Sequence, residues 1–124
     1  MMPRNISFSL TTKQFRDRSK TVTRRLKWDS VKAGDILMGV EKAMGLKPGE
    51  KMVRLGLIRV TEARNEPLQL LIDDPEYGKS EAAKEGFPEM SGAEFVEMFC
   101  KHMKVGPSYA PKRIEFEYVD EVAE

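Results

Sequence analysis

A chain of 124 residues, 40% hydrophobic and 33% charged, has the length of one domain, 1–124, and the composition of a globular protein. No run approaches the ~20 apolar residues of a membrane span, and the N-terminus has no apolar core of signal-peptide length. One cysteine, Cys100, and one histidine, His102, exclude an internal disulfide and a zinc cluster built from that pair, so a reducing, cytoplasmic setting with no metal and no cofactor is expected. Net charge is +1, but residues 1–32 carry nine Lys and Arg against Asp17 and Asp29, a net +7. Residues 61–100 carry ten acids against Arg64, Lys79 and Lys84, a net −7. Either the basic front meets an anion such as phosphate, or the two segments neutralise each other within the fold.

In chain order, residues 5–10 alternate Ile6, Phe8 and Leu10 with small polar residues and predict a half-buried strand. Thr11 or Thr12 can cap a short basic helix over 12–20, docked by Phe15 alone. Lys20–Leu26, KTVTRRL, is the second strand candidate, with β-branched residues in its middle. Asp29-Ser30 and Lys32–Asp35 are turns. Residues 36–40, ILMGV, suit a buried strand, with Gly39 marking a bulge or a close backbone approach. Residues 44–51 are loop. Residues 52–62 alternate with mixed polarity on both faces, as in a curved sheet bent at Gly56.

Residues 66–73 predict one short helix, 73–78 a loop, and 80–85 a helix capped by Ser80 and ended by Gly86. Ser91 and Glu94 form a capping box for a helix whose Phe95, Met98, Phe99 and His102 or Met103 share one side, a face that reads as core. Ile114, Phe116 and Tyr118 alternate with charged residues as a last strand. Residues 119–124 read as a frayed tail. The scattered methionines read as core filling. Asp73, Asp74 and Glu76 read as a solvated loop rather than a metal site. Strands with helices inserted late make an α+β domain with a small, curved sheet.

The densest chemistry lies in Lys20-Thr21-Val22-Thr23-Arg24-Arg25. It is either an exposed basic strand or a surface for an anion. Dinucleotide and P-loop signatures are missing, as is a serine-hydrolase elbow.

Three landmarks follow one another: the K-T-x-T-x-R run (Lys20, Thr21, Thr23, Arg25), the turn Lys32–Asp35 before a hydrophobic strand, and Glu85-Gly86-Phe87 before an amphipathic helix. With the closing strand RIEFEY, this arrangement resembles the ASCH domain of the PUA-like superfamily from about Ile6 to Tyr118. The resemblance implies a small β-barrel of five to six strands with short helices around it and a cleft that binds RNA or a nucleotide or nucleoside base. It is also similar to a group of small bacterial amidohydrolases that deacetylate N4-acetylcytidine. Matched by motif, their triad falls on Thr23 as nucleophile, Lys20 as base and Glu85 as orienter or proton carrier.

A lysine acts as base only if burial or nearby cations depress its pKa, and Glu85 beside it would raise that pKa again. In a regular strand Lys20 and Thr23 point to opposite faces, so the triad needs an irregular backbone between them. Arg24 and Trp28 depart from the minimal amidohydrolase pattern. Binding and catalysis therefore stand as alternatives, beside a plain structural domain. As a binding module, Arg16, Arg18, Arg24, Arg25 and Lys27, with Thr21, would meet phosphate, while Trp28 or Tyr77 stacks on a base. Trp28 could equally pack in the core.

Overall fold

The computed structural model describes residues 3–43 and 45–120. The chain runs β1 (Arg4–Ser7), α1 (Thr12–Arg16), β2 (Val22–Arg25), β3 (Ile36–Val40), β4 (Arg54–Asn65), α2 (Gln69–Asp73), α3 (Pro75–Lys84), α4 (Gly92–Met103) and β5 (Lys112–Val119). The five strands form one curled sheet in the order β1-β3-β4-β5-β2, a half-barrel with four short helices around it. The β1–β3 pair is parallel and every other pair antiparallel. The expected α+β class and small curved sheet are what the chain adopts.

Two irregularities curl the sheet. The β3–β4 register shifts at Gly39/Val40, and the β4–β5 register shifts between Val60 and Glu62. Such bulges increase local twist and bend the strand that carries them. Gly39 lies opposite Gly56, as the glycine positions suggest, and the Phe15 ring occupies the space above them. A Cβ on Gly39 would stand 2.6 Å from two Phe15 ring carbons, and Gly56 has φ +149°. One aromatic residue thereby docks α1 on the sheet. Phe8 and Tyr118 flank its ring at centroid distances of 4.8 and 5.0 Å.

Two apolar clusters form the core. One fills the half-barrel with Ile6, Phe8, Phe15, Ile58, Ile114 and Phe116. The other lies among α2, α3 and α4, around Leu68, Leu71, Ala82, Phe95, Val96 and Phe99. In the helical cluster Gly78 and Gly92 let α3 and α4 approach closely, since a Cβ on Gly78 would lie 2.9 Å from the Gly92 Cα.

Several boundaries move. The first strand ends at Ser7, although Phe8 N still donates to Val40 O at 2.8 Å, and Leu10 is 66% exposed. The basic helix stops at Arg16, where Asp17 caps it and Arg18 turns with φ 64°. The second strand starts at Val22, not Lys20. β4 begins two residues later than expected and extends to Asn65, because β5 pairs along that length. The helix expected over 66–73 is formed only from Gln69. The largest shift is in α3. Its N-cap is Asp74, whose side chain accepts from Tyr77 N, and Pro75 holds the first helical position. An Asp-Pro start is a better helix signal than Ser80, since proline's fixed φ and missing N–H suit that first position. The Ser91–Glu94 capping box forms as expected. Val119 belongs to β5, so the frayed-tail reading fails there. Residues 121–124 and Met44 lie outside the described residues. Among the described residues no helix is long and apolar enough to cross a membrane.

Gly39→Ala should destabilise the fold by about 1–3 kcal/mol, the usual range for overpacking a core. Urea unfolding checks this. In a Phe15→Leu background the same substitution should cost measurably less, because the ring it strikes is gone.

Candidate functional site

The backbone turns just before β2. Lys20 N donates to Gln14 O, the Tyr118 hydroxyl donates to Lys20 O at 2.6 Å, and Thr21 N donates to Lys84 O at 2.8 Å. Strand regularity begins only at Val22, so strand parity does not separate Lys20 from Thr23. Both border one cavity of about 280 Å³, together with Glu85.

Glu85 reaches that cavity because of how α3 ends. Phe87 N donates to Ala82 O and Gly86 N to Ala83 O, a Schellman closure with Gly86 at φ +105°. Glu85 is the C-cap, so its carbonyl oxygen is left free of the helix ladder. Lys20 Nζ fills that vacancy, donating to Glu85 O at 2.8 Å and to Glu85 Oε1 at 2.9 Å. Lys20, Thr23 and Glu85 are each 3% exposed.

The other carboxylate oxygen belongs to Arg24. Its Nη1 donates to Glu85 Oε2 at 2.8 Å, and its Nη2 donates to Glu66 Oε1 at 2.9 Å and to Glu81 Oε1 at 2.5 Å. Arg113 takes Glu81 from the other side, with Nε at 2.6 Å and Nη2 at 3.0 Å. Lys20, Arg24 and Arg113 thus balance Glu66, Glu81 and Glu85 inside the protein. Burial is tolerable for such charges only when they are paired and hydrogen-bonded. Of the buried side-chain polar atoms described, Arg24 Nε is without a partner.

Burial pushes the Lys20 ammonium below its ordinary pKa, and the Glu85 carboxylate offsets this only in part. This is the direction a general base requires. Burial pushes Glu81 up, but hydrogen bonds from Arg113 and Arg24 outweigh it and hold the carboxyl at about 2. Burial lowers Arg25 to about 10, which leaves it charged at neutral pH. Arg25 Nε donates to Thr23 Oγ1 at 3.2 Å, and its Nη2 donates to Ser7 O. Thr23 Oγ1 and Lys20 Nζ share the cavity but no hydrogen bond.

The cavity is polar at its floor and apolar on one side. Lys20, Thr23, Arg25 and Glu85 contribute the polar groups, while Phe87, Phe95, Met98 and Phe99 line it from the helical side. Segment 7–11 closes the other side.

The remaining expected ligand residues fall elsewhere. Arg24 is not available to a phosphate: it is 2% exposed and carboxylates occupy both its terminal nitrogens. Thr21 is half-buried and held through its backbone. Arg16, Arg18 and Lys27 are exposed and do not border the cavity, and Arg18 pairs with Asp120 at 2.7 Å. Trp28 packs against the half-barrel core with the Arg4 guanidinium 3.6 Å from its ring centroid, beside a separate cavity of about 360 Å³. Tyr77 donates its hydroxyl to Glu66 Oε2 at 2.7 Å and packs on the helical cluster. His102, read as a core residue, is exposed yet borders the cavity.

Sequence reasoning missed Glu66, Glu81 and Arg113. Glu81 and Glu85 stand four apart, one helical turn, which was a usable signal. Alternation groups Arg113 with the charged residues of β5, but it is 2% exposed and bonded to Glu81 of α3. The charge dipole resolves in part by internal neutralisation, since Lys20 and Arg24 of the basic front bind Glu66, Glu81 and Glu85 of the acidic middle.

No family model matches the chain, and no curated protein matches it. Among solved structures it is similar to the crystal structure of protein EF3133 from Enterococcus faecalis, whose description carries the family model DUF984. The two share 18% sequence identity at a TM-score of 0.60, over 100% of this chain and 84% of that one. At that identity the likeness establishes the fold: a small half-barrel sheet with helices packed around it.

Glu81 keeps its charge far below the ordinary carboxylate value of 4.5, so its stabilising contribution is complete above that pH and is lost as pH falls towards about 2. The free energy of unfolding should therefore drop by on the order of 3 kcal/mol across that window from this group alone. Equilibrium unfolding at stepped pH checks it, and Glu81→Gln should flatten the slope. Arg24→Met should cost about 3–5 kcal/mol by removing one buried cation from each of three carboxylates, whereas Arg16→Ala should stay within about 0.5 kcal/mol. Thermal or urea unfolding distinguishes the two.

Proposed function

We propose that the chain hydrolyses the amide of an acylated cytosine nucleoside such as N4-acetylcytidine, as a protein of the ASCH type. The observation that carries the reading is that Lys20, Thr23 and Glu85 border one cavity, with the Lys20–Glu85 pair buried at its floor. A volume of about 280 Å³ lies just below the ~300–1,000 Å³ typical of small-molecule sites. It suits one base better than a strand of RNA. The apolar side formed by Phe95, Met98 and Phe99 suits a flat ring.

Lys20 in its neutral form takes the proton of Thr23 Oγ1, and that oxygen attacks the amide carbonyl carbon. The Arg25 guanidinium, bonded to Thr23 Oγ1, stands beside the reacting centre as the positive charge that would stabilise the oxyanion formed on the carbonyl oxygen. The C–N bond then breaks, Lys20 returns the proton to the departing amine nitrogen, and water releases the acyl group from Thr23. In the free protein Lys20 Nζ rests on Glu85, so the lysine must turn towards Thr23 for the transfer. Arg24, bonded to Glu85 Oε2, keeps the carboxylate in place while this happens.

A binding module for RNA is the second reading. It is favoured by Lys13, Arg16 and Lys27, exposed cations that form no ion pair among the described residues. The purified protein should convert N4-acetylcytidine to cytidine and acetate, and Thr23→Ala should reduce turnover at least about 10³-fold while remaining folded. Turnover that survives Thr23→Ala would refute the residue assignment. No turnover by the wild type, with RNA binding that weakens steeply with salt and is lost in Arg16→Ala, would favour the module.

A further inference from the structure

We infer that the ligand enters this cavity amide end first and that His102 binds the sugar left at the mouth. The inference rests on the nucleoside reading above and fixes the orientation within it. Depth in the cavity is graded by burial. Lys20, Thr23 and Glu85 are buried, Phe95 and Phe99 are buried beside them, and Met98 and Met103 are half-buried. Ser9, Leu10 and His102 are exposed and mark the opening.

The helical side is one stripe of α4: Phe95, Met98, Phe99 and His102 follow the spacing of a single helix face. The first three are apolar, and the last turn of the stripe carries the half-buried Met103 and the exposed His102 imidazole at the mouth. Neither imidazole nitrogen has a hydrogen-bond partner among the described residues, so both are free for a ligand. A nucleoside is graded in the same sense. Its reactive amide lies at one end, its flat apolar ring in the middle and its hydroxyl-rich sugar at the other end. Sugar hydroxyls both donate and accept, as does a neutral imidazole. Only the amide-first orientation brings the carbonyl to Thr23 and leaves the hydroxyls within reach of His102.

The chain has one histidine, so its imidazole Hε1 proton gives one NMR signal that is assignable without ambiguity. Titrating the wild type with cytidine should move that signal together with the Met98 and Met103 methyls. Cytosine, which has no sugar, should move the methyls and leave the imidazole where it was. His102→Ala, an exposed position that the fold tolerates, should weaken cytidine binding about 3- to 10-fold, the worth of one hydrogen bond, and leave cytosine binding unchanged. If cytidine moves the methyls but not the imidazole, or if cytosine moves both, this orientation is overturned while the nucleoside site stands. If neither set moves with either compound, the nucleoside reading and this inference fall together.

Discussion

The Arg24 guanidinium is the charge around which the rest is arranged. It sits in the interior on β2 and is bonded to Glu66 before α2, to Glu81 within α3 and to Glu85 at the end of α3. Desolvating it costs several kcal/mol, so each carboxylate must be held where it can compensate. That requirement links the half-barrel to the helical cluster across an interface that apolar packing alone would leave free to slide. It also fixes one oxygen of Glu85 and so presents the other to Lys20.

Burying three cations and three carboxylates gives little net stability by itself, since apolar residues of similar volume often do as well. What it gives here is geometry. Lys20, its pKa lowered by burial, is held in place by Glu85, and Thr23 lies in the same cavity with a guanidinium on its hydroxyl.

Much of the fold was legible because local signals agreed with it. Gly39 and Gly56 marked the β3–β4 bend, Ser91 with Glu94 marked the start of α4, a compact apolar run marked β3 and alternation marked β5. The site was half legible. The K-T-x-T run and Glu85 were found by motif, but Arg24 was misread as a ligand residue, because nothing local tells a buried guanidinium from an exposed one. Its partners lie 42 to 61 residues away. Arg113 was misread for the same reason: alternation assigns a face to water, and only tertiary packing reveals that α3 covers it. Trp28, which could stack on a base or pack in the core, packs against the core beside the Arg4 guanidinium.

The two ends of the sheet, β1 and β2, are not joined by a strand ladder. Among the described residues the hydrogen bond that spans them is the one from Arg25 to the Ser7 carbonyl. In hydrogen bonds, parting the seam costs about one charge-assisted bond, ~1.5–3 kcal/mol, where opening a ladder would break several. The same guanidinium holds the Thr23 hydroxyl. Each widening of the seam thus loosens the hold on Thr23 Oγ1, so the seam and the freedom of that hydroxyl are coupled through one side chain.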